Sequence, residues 1–361
     1  EAFGPPGSVE GLMDLKVKPL PLAAFLAIAL VLLALPKVMT DPYRLHMTIL
    51  VLLSCITGMS WNLLGGFTGQ HSIGHAAYFG VGAYTTMILL EKAKVAPWFG
   101  VWAGAAAAVV VALIIGLICF RLRGPYFVLA SIAVTEIMRL SALNLKDVTN
   151  GAEGILMSEM PPFKVGSKVL WDFSNKEPYY YTALGFALFA WAVAFAVKRS
   201  KLGYCLQAIR EDQDAAHSLG IPLTRYKVYA LSLSALLTGL AGGLYGTYVG
   251  FVDPGTVLGL DLSVQIALLC IIGGIGTLPG PVLGACLLVP MSEILRSNLA
   301  TEALLKTGLV SPEGAVGIFL KEHLAHAHVL IYGILVVLVI LFMPEGIMGF
   351  LKRIFRRKAV A

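Results

Sequence analysis

Charge is scarce in this chain. Only 13% of its 361 residues are Asp, Glu, Lys or Arg, where soluble domains carry about 25%. With 27 basic and 21 acidic side chains, several water-solvated domains of ordinary size have too few ions to cover them. The hydrophobic share is 58% and the mean hydropathy is +0.81, so a soluble globular class is excluded. Cysteine numbers five, which is odd and gives no disulfide framework; Cys55, Cys119, Cys270 and Cys286 fall within or beside apolar runs as packing thiols. Also missing are a His-Glu-x-x-His zinc-protease motif, a Gly-x-Ser-x-Gly elbow and a Walker A loop. No catalytic residue is therefore expected, and ATP hydrolysis by the chain itself is not expected either. Residues 1–15 lack a basic cluster, a short apolar core and a small-residue cleavage site, so no cleaved signal peptide is expected.

What the chain has instead is long apolar runs. Residues 20–36, 47–64, 76–90, 97–120, 179–197, 228–252 and 262–292 contain no Asp, Glu, Lys or Arg. Runs of about 18 or more mean that the solvent is lipid. The last is too long for one crossing at about 1.5 Å per residue, and Gly273, Gly274, Gly276, Pro279, Gly280 and Pro281 divide it. Residues 125–145 are apolar except for Glu136 and Arg139, and 324–343 except for His326 and His328. The expected fold is an all-α integral membrane protein with about ten transmembrane helices (eight to ten). Its spans are near 20–38, 47–66, 76–91, 97–120, 125–145, 179–198, 227–250, 261–277, 280–298 and 324–343. An N-terminal tail (1–19), an outer loop (146–178), an inner loop (199–226) and a basic tail (351–361) complete the transmembrane unit at 20–350.

An even number of spans puts both termini on one side. Arg121 and Arg123, the cluster Lys198, Arg199 and Lys201, and the tail from Lys352 to Lys358 then share that side, close to span ends, where the positive-inside signal is read. Both termini are expected in the cytoplasm. The basic tail reads as stop-transfer residues beside anionic lipid, and nucleic acid is not an expected partner.

Two apolar segments are broken without a charged loop. Residues 65–75 (Gly-Gly-Phe-Thr-Gly-Gln-His-Ser-Ile-Gly-His) separate one pair of runs, and 273–281 (Gly-Gly-Ile-Gly-Thr-Leu-Pro-Gly-Pro) another. Such breaks suit re-entrant backbone beside a cavity, and a pair of them points to a transporter built from internal repeats. Tight turns at the cytoplasmic face are the plainer reading. Asn62, Gly69, His71, His75, Gly274 and Gly276 are the pathway or gating candidates at these breaks. Glu136 and Arg139 join them, because ionisable groups inside a span are functional by default; three residues apart, they also suit a local pair on one helix face. The buried carboxylates and histidines are too few for a proton relay.

Gly100, Gly104, Ala108, Ala112 and Gly116 recur every fourth residue, as do Gly242, Gly246 and Gly250. Small residues at this spacing let helices approach closely, either inside the bundle or at a dimer interface. His71 and His75 are spaced for one helix face, and His323, His326 and His328 cluster, but neither set has the partners of a compact metal site; hydrogen bonding is the favoured reading and no metal is expected. In the inner loop, Asp212 reads as an N-cap for a short helix over 213–219, with Gly220 as its stop and Pro222 beyond. A short ordered helix between two spans suits docking into a groove of a soluble partner.

Five blocks carry a resemblance. They are Gly69-x5-His-Ala-Ala-Tyr-Phe-Gly-x-Gly-Ala-Tyr84, Leu122-Arg-Gly-x-Tyr-Phe127, Thr149-x-Gly-x-x-Gly-Ile155, Leu206-x-Ala-Ile-Arg-Glu-Asp212 with Ala216-x-x-Leu-Gly-Ile221, and Gly273-Gly-x-Gly-Thr-x-x-Gly-Pro-x-x-Gly-Ala285. In order and spacing over about residues 45–348, the chain resembles the M-type permeases of branched-chain amino acid ABC importers, with urea and amide permeases as near neighbours. The resemblance implies a type II-like half-channel in the bacterial inner membrane. It implies a second homologous permease, two cytoplasmic ATP-binding subunits that hold the ATP–Mg, and a periplasmic substrate-binding protein, with no cofactor on this chain. By the same resemblance, Arg210, Glu211, Asp212, Ala215, Ala216, Leu219 and Gly220 contact the ATPase. The implied cargo is branched-chain amino acids or related small amino acids and amides. The alternative is an ATP-independent secondary transporter or channel for a small polar solute. Two departures stand out: Pro125 replaces the usual acidic residue after Arg-Gly, and Asn150 replaces a glycine.

Overall fold

A computed structural model describes residues 31–37, 41–122, 124–157, 163–165, 168–171, 175–296, 333–334, 337, 341 and 346–350. Both expected tails, most of the expected spans 20–38 and 324–343, and His323, His326 and His328 lie outside the described residues.

The helices begin where local chemistry lets them. Helix α1 (Pro42–Trp61) has Asp41 as N-cap, its carboxylate accepting from the Tyr43 N–H at 2.9 Å, and Pro42 at the first helical position. At Asn62–Gly66 the winding widens into one π-type turn, in which the Phe67 N–H reaches back to the Asn62 carbonyl. After an irregular stretch come α2 (His75–Glu91), α3 (Pro97–Cys119) and α4 (Pro125–Asn144). Pro125 opens α4 at a position that needs no backbone N–H, so proline is tolerated there. The short α5 (Lys146–Thr149) ends on Asn150, whose φ of 61° is the left-handed conformation that asparagine supports, so no glycine is required there.

After α5 come β1 (Ile155–Leu156) and an antiparallel hairpin of β2 (Phe163–Val165) with β3 (Lys168–Trp171). Then follow α6 (Glu177–Arg199), α7 (Lys201–Glu211), α8 (Gln213–Ser218) and α9 (Leu223–Val249). Strand β4 (Phe251–Val252) pairs with β1 and ties the segment after α5 to the end of α9. The chain continues through α10 (Pro254–Val257), α11 (Leu260–Gly273) and α12 (Gly280–Arg296). The long apolar run of 262–292 is thus two helices parted at its glycines.

Among the described residues, six helical segments are long and apolar enough to cross a membrane: Pro42–Gly66, Pro97–Cys119, Pro125–Asn144, Glu177–Arg199, Leu223–Val249 and Pro254–Gly273. Helix α2 and the apolar part of α12, Gly280–Ile294, are shorter. Helix α9 is the core of the bundle and packs on α1, α2 and α3. The small-residue stripes form its seams. Gly239 of α9 lies against Ala105 and Ala108 of α3, and Gly104 of α3 against the Gly82 carbonyl of α2. Internal packing, not a dimer face, is where these stripes are used. One hydroxyl pair crosses the core, Ser60 to Thr238 at 2.7 Å, and satisfies both groups where water has no access.

Candidate functional site

The two glycine breaks meet. Asn62, 1% exposed, sits where the π-type turn begins and reaches across to the second break with both halves of its amide. Its Nδ2 donates to the Thr277 carbonyl and its Oδ1 accepts from the Gly276 N–H, both at 2.8 Å. A single side chain therefore replaces the helical bonds that each break gives up, as low-dielectric burial demands. Gly66 makes room for that amide: a Cβ there would collide with Asn62 Oδ1.

The loop that follows α6 grips the same junction. Arg210, in the last turn of α7, donates from Nη1 to the Gly66 carbonyl at 2.8 Å. Its stem packs on Gly69, and its guanidinium occupies the place that a side chain at Gly276 would take. Gly276 has φ of 73° and Gly69 of 69°, so each position needs glycine for its backbone as well as for the arginine. Gly274, with φ of 123°, ends α11.

Directly after Arg210 the loop turns into α8. Asp212 caps it, accepting from the Asp214 and Ala215 N–H groups at 2.8 and 2.9 Å. Gly220 stops it at φ of 82°, with the Ile221 N–H returning to Ala216 and the Gly220 N–H to His217. This is the full left-handed stop motif. Glu211, Asp212, Ala215, Leu219 and Gly220 are exposed, Leu219 at 81%. One member of the sequence-derived contact set behaves otherwise: Ala216 is buried against the chain's own helices. Arg210 is exposed like the others, and its guanidinium also reaches the breaks. Lys227, at the start of α9, is buried and donates to Gln213 at 2.9 Å, so α8 is also tied to the central helix.

The first break continues toward α4. Trp61 donates from Nε1 to the Ser72 carbonyl at 2.7 Å and stacks on His71. Desolvation first, and the nearby Arg210 charge second, hold the His71 pKa below the ordinary imidazole value. The Ile73 N–H donates to Ser131 Oγ at 2.9 Å, while Thr135 donates back to the Ile73 carbonyl. A cleft of about 470 Å³ opens between the first turn of α4 and Gly69, Gln70 and His71. His75 heads α2 and bonds Ser234 at 2.8 Å. The two histidines therefore do not share a helix face, because His71 precedes the helix, and no metal-binding group of three occurs among the described residues.

Glu136 and Arg139 stand apart from this junction. They form a two-pronged pair on α4, one contact being Nε to Oε2 at 2.9 Å. Sequence reasoning missed Ser131, Thr135 and Lys227. The hydroxyls at 131 and 135 gave a signal, one turn apart in an apolar span.

An apolar helical bundle with two broken segments locked to each other and to an ordered polar loop defines a multi-pass membrane permease. The chain belongs to the family described as branched-chain amino acid transport system / permease component, which matches residues 43–342. It is 28% identical to the high-affinity branched-chain amino acid transport system permease protein LivM of Escherichia coli K12, over 79% of this chain and 71% of that protein. Identity to LivM of Salmonella typhimurium is 29%, over 71% of this chain and 64% of that protein. LivH of Escherichia coli K12 is 22% identical over 81% of this chain and 90% of its own length. No solved structure matches the chain.

Proposed function

We propose that this chain is the permease subunit of an ABC importer in a bacterial inner membrane, moving branched-chain amino acids or related small amino acids and amides into the cytoplasm. It works with a second permease, two cytoplasmic ATPases that carry the ATP–Mg, and a periplasmic binding protein; both termini are cytoplasmic. The cargo class draws its support from the LivM and LivH relatives. The coupling draws its support from one observation: a single capped loop offers Leu219 and its neighbours outward while Arg210, two residues before the cap, holds both glycine breaks.

The mechanism follows from that connection. Closure of the ATPase pair displaces α8, and Arg210 and the Lys227–Gln213 bond carry the displacement to the breaks and to α9. The energy shifts the chain between inward- and outward-open states only through a difference in ATPase affinity for the two. No bond chemistry is asked of this chain.

Replacing Glu211 and Asp212 together by Ala removes the exposed acids and the cap, which is worth about 1 kcal/mol in such a helix. In the reconstituted transporter, uptake per ATP hydrolysed is expected to fall about tenfold, the effect of about 1.4 kcal/mol. Normal uptake at normal binding-protein-stimulated ATPase would defeat the assignment, and ion-driven uptake without ATPases would favour a secondary carrier.

A further inference from the structure

Two helices of the bundle turn an open face outward, and the faces differ in chemistry. That of α3 presents Phe99, Trp102, Val110, Ile114, Leu117 and Ile118, with no polar side chain among them, as acyl chains require. That of α4 presents Tyr126, Leu129, Ile137 and Leu140, but Glu136 and Arg139 lie among them with side chains 46% and 31% exposed. Among the described residues, each of these two ions has the other as its only hydrogen-bonding partner. A pair that held helices together would bond across to another element, and among the described residues this one bonds nowhere else. Ions on a lipid-facing helix surface are costly and instead face a partner or water.

The opposite stripe of α4, Phe127, Ser131, Thr135 and Ala142, is buried. Through Ser131 and Thr135 it is bonded to Ile73 of the first break. A shift of that break under Arg210 therefore moves the helix that carries the ion pair.

We propose that the open face of α4 borders the hydrated substrate route, and that Glu136 and Arg139 form its transient contact for a zwitterion. The ammonium of a passing α-amino acid meets the Glu136 carboxylate and its carboxylate meets the Arg139 guanidinium, so each charge exchanges one partner for another. The guanidinium fork suits a carboxylate from either source. No covalent bond changes, and the local pair re-forms when the cargo leaves. This inference rests on the amino acid importer reading and adds to it the place where the cargo's charges are handled.

The test uses the complete transporter in liposomes, with leucine as the probe and E136Q/R139Q as the variant. Glu136→Gln is isosteric and Arg139→Gln only shortens a partly exposed side chain, so the helix and its packing are kept. Leucine uptake per ATP is expected to fall about tenfold, as loss of charge-assisted hydrogen bonds does, with assembly and stimulated ATPase unchanged. A second arm places I137C on α4 or L117C on α3, with Cys205 and Cys286 replaced by Ser. A membrane-impermeant thiol reagent is expected to modify I137C, more slowly with leucine present, and to leave L117C unmodified. Undiminished uptake in the double variant, its failure to assemble, or a lipid-like lack of reaction at I137C would each overturn the proposal. A wild-type complex that takes up no leucine overturns the importer reading and this inference with it, whereas wild-type uptake matched by the variant overturns this inference alone.

Discussion

Asn62→Leu is expected to lower the unfolding temperature of the purified protein sharply and to reduce the yield of monodisperse material. The substitution is nearly isosteric and more apolar, so a side chain facing only hydrocarbon would tolerate it. Here it strands the Gly276 N–H and the Thr277 carbonyl, which Asn62 serves at 2.8 Å each. A buried polar group without a partner costs about 1–3 kcal/mol, and two are stranded at once, beside Gly66, whose carbonyl holds Arg210. The loss should therefore exceed that of a single hydrogen bond. Thermal unfolding followed by size-exclusion recovery checks it; a variant with wild-type Tm would mean that the breaks are held by other contacts.

Gly242→Val should be more severe. A Cβ at Gly242 would collide with the backbone carbonyl of Phe79 in α2, and no side chain can swing aside to relieve it. Overpacking costs typically about 1–3 kcal/mol where side chains adjust, and here two backbones must part along the central seam of the bundle. No folded protein is expected from this variant, and Gly242→Ala should already lower the Tm. Gly185→Ala is the control, because nothing lies within 4 Å of its added carbon; it should be neutral or stabilising by about 0.4–1 kcal/mol through the unfolded chain. Expression and melting of the three variants together separate close packing from a general intolerance of larger residues.

The helices, their breaks and the capped loop were legible in the sequence because each depends on neighbours along the chain. Lipid demands apolar runs, glycines and prolines interrupt them, and Asp212 caps and Gly220 stops α8 within a few residues of themselves. The Glu136–Arg139 pair was legible for the same reason, at three residues' separation. The junction was not. Asn62 and Thr277 are 215 positions apart, and Arg210 and Gly66 are 144 apart; no periodicity reports such a partnership. Arg210 entered only as an ATPase contact implied by resemblance, and the folded backbone shows that its head lies where Gly276 has no side chain. Ala216 looked like its neighbour Ala215, yet one turn of helix buries the former and exposes the latter. His71 and His75 shared a spacing but not a helix.

The central claim is that motion enters at α8 and reaches both glycine breaks through Arg210. The most direct measurement is uptake per ATP hydrolysed in liposomes holding the assembled transporter, compared between wild type, Arg210→Lys and Arg210→Gln. Lysine keeps the charge but not the fork, so the account predicts a partial loss for Arg210→Lys and a fall of about tenfold or more for Arg210→Gln, near the effect of one charge-assisted hydrogen bond, with stimulated ATPase retained in both. Wild-type uptake per ATP in an assembled Arg210→Gln transporter would contradict it.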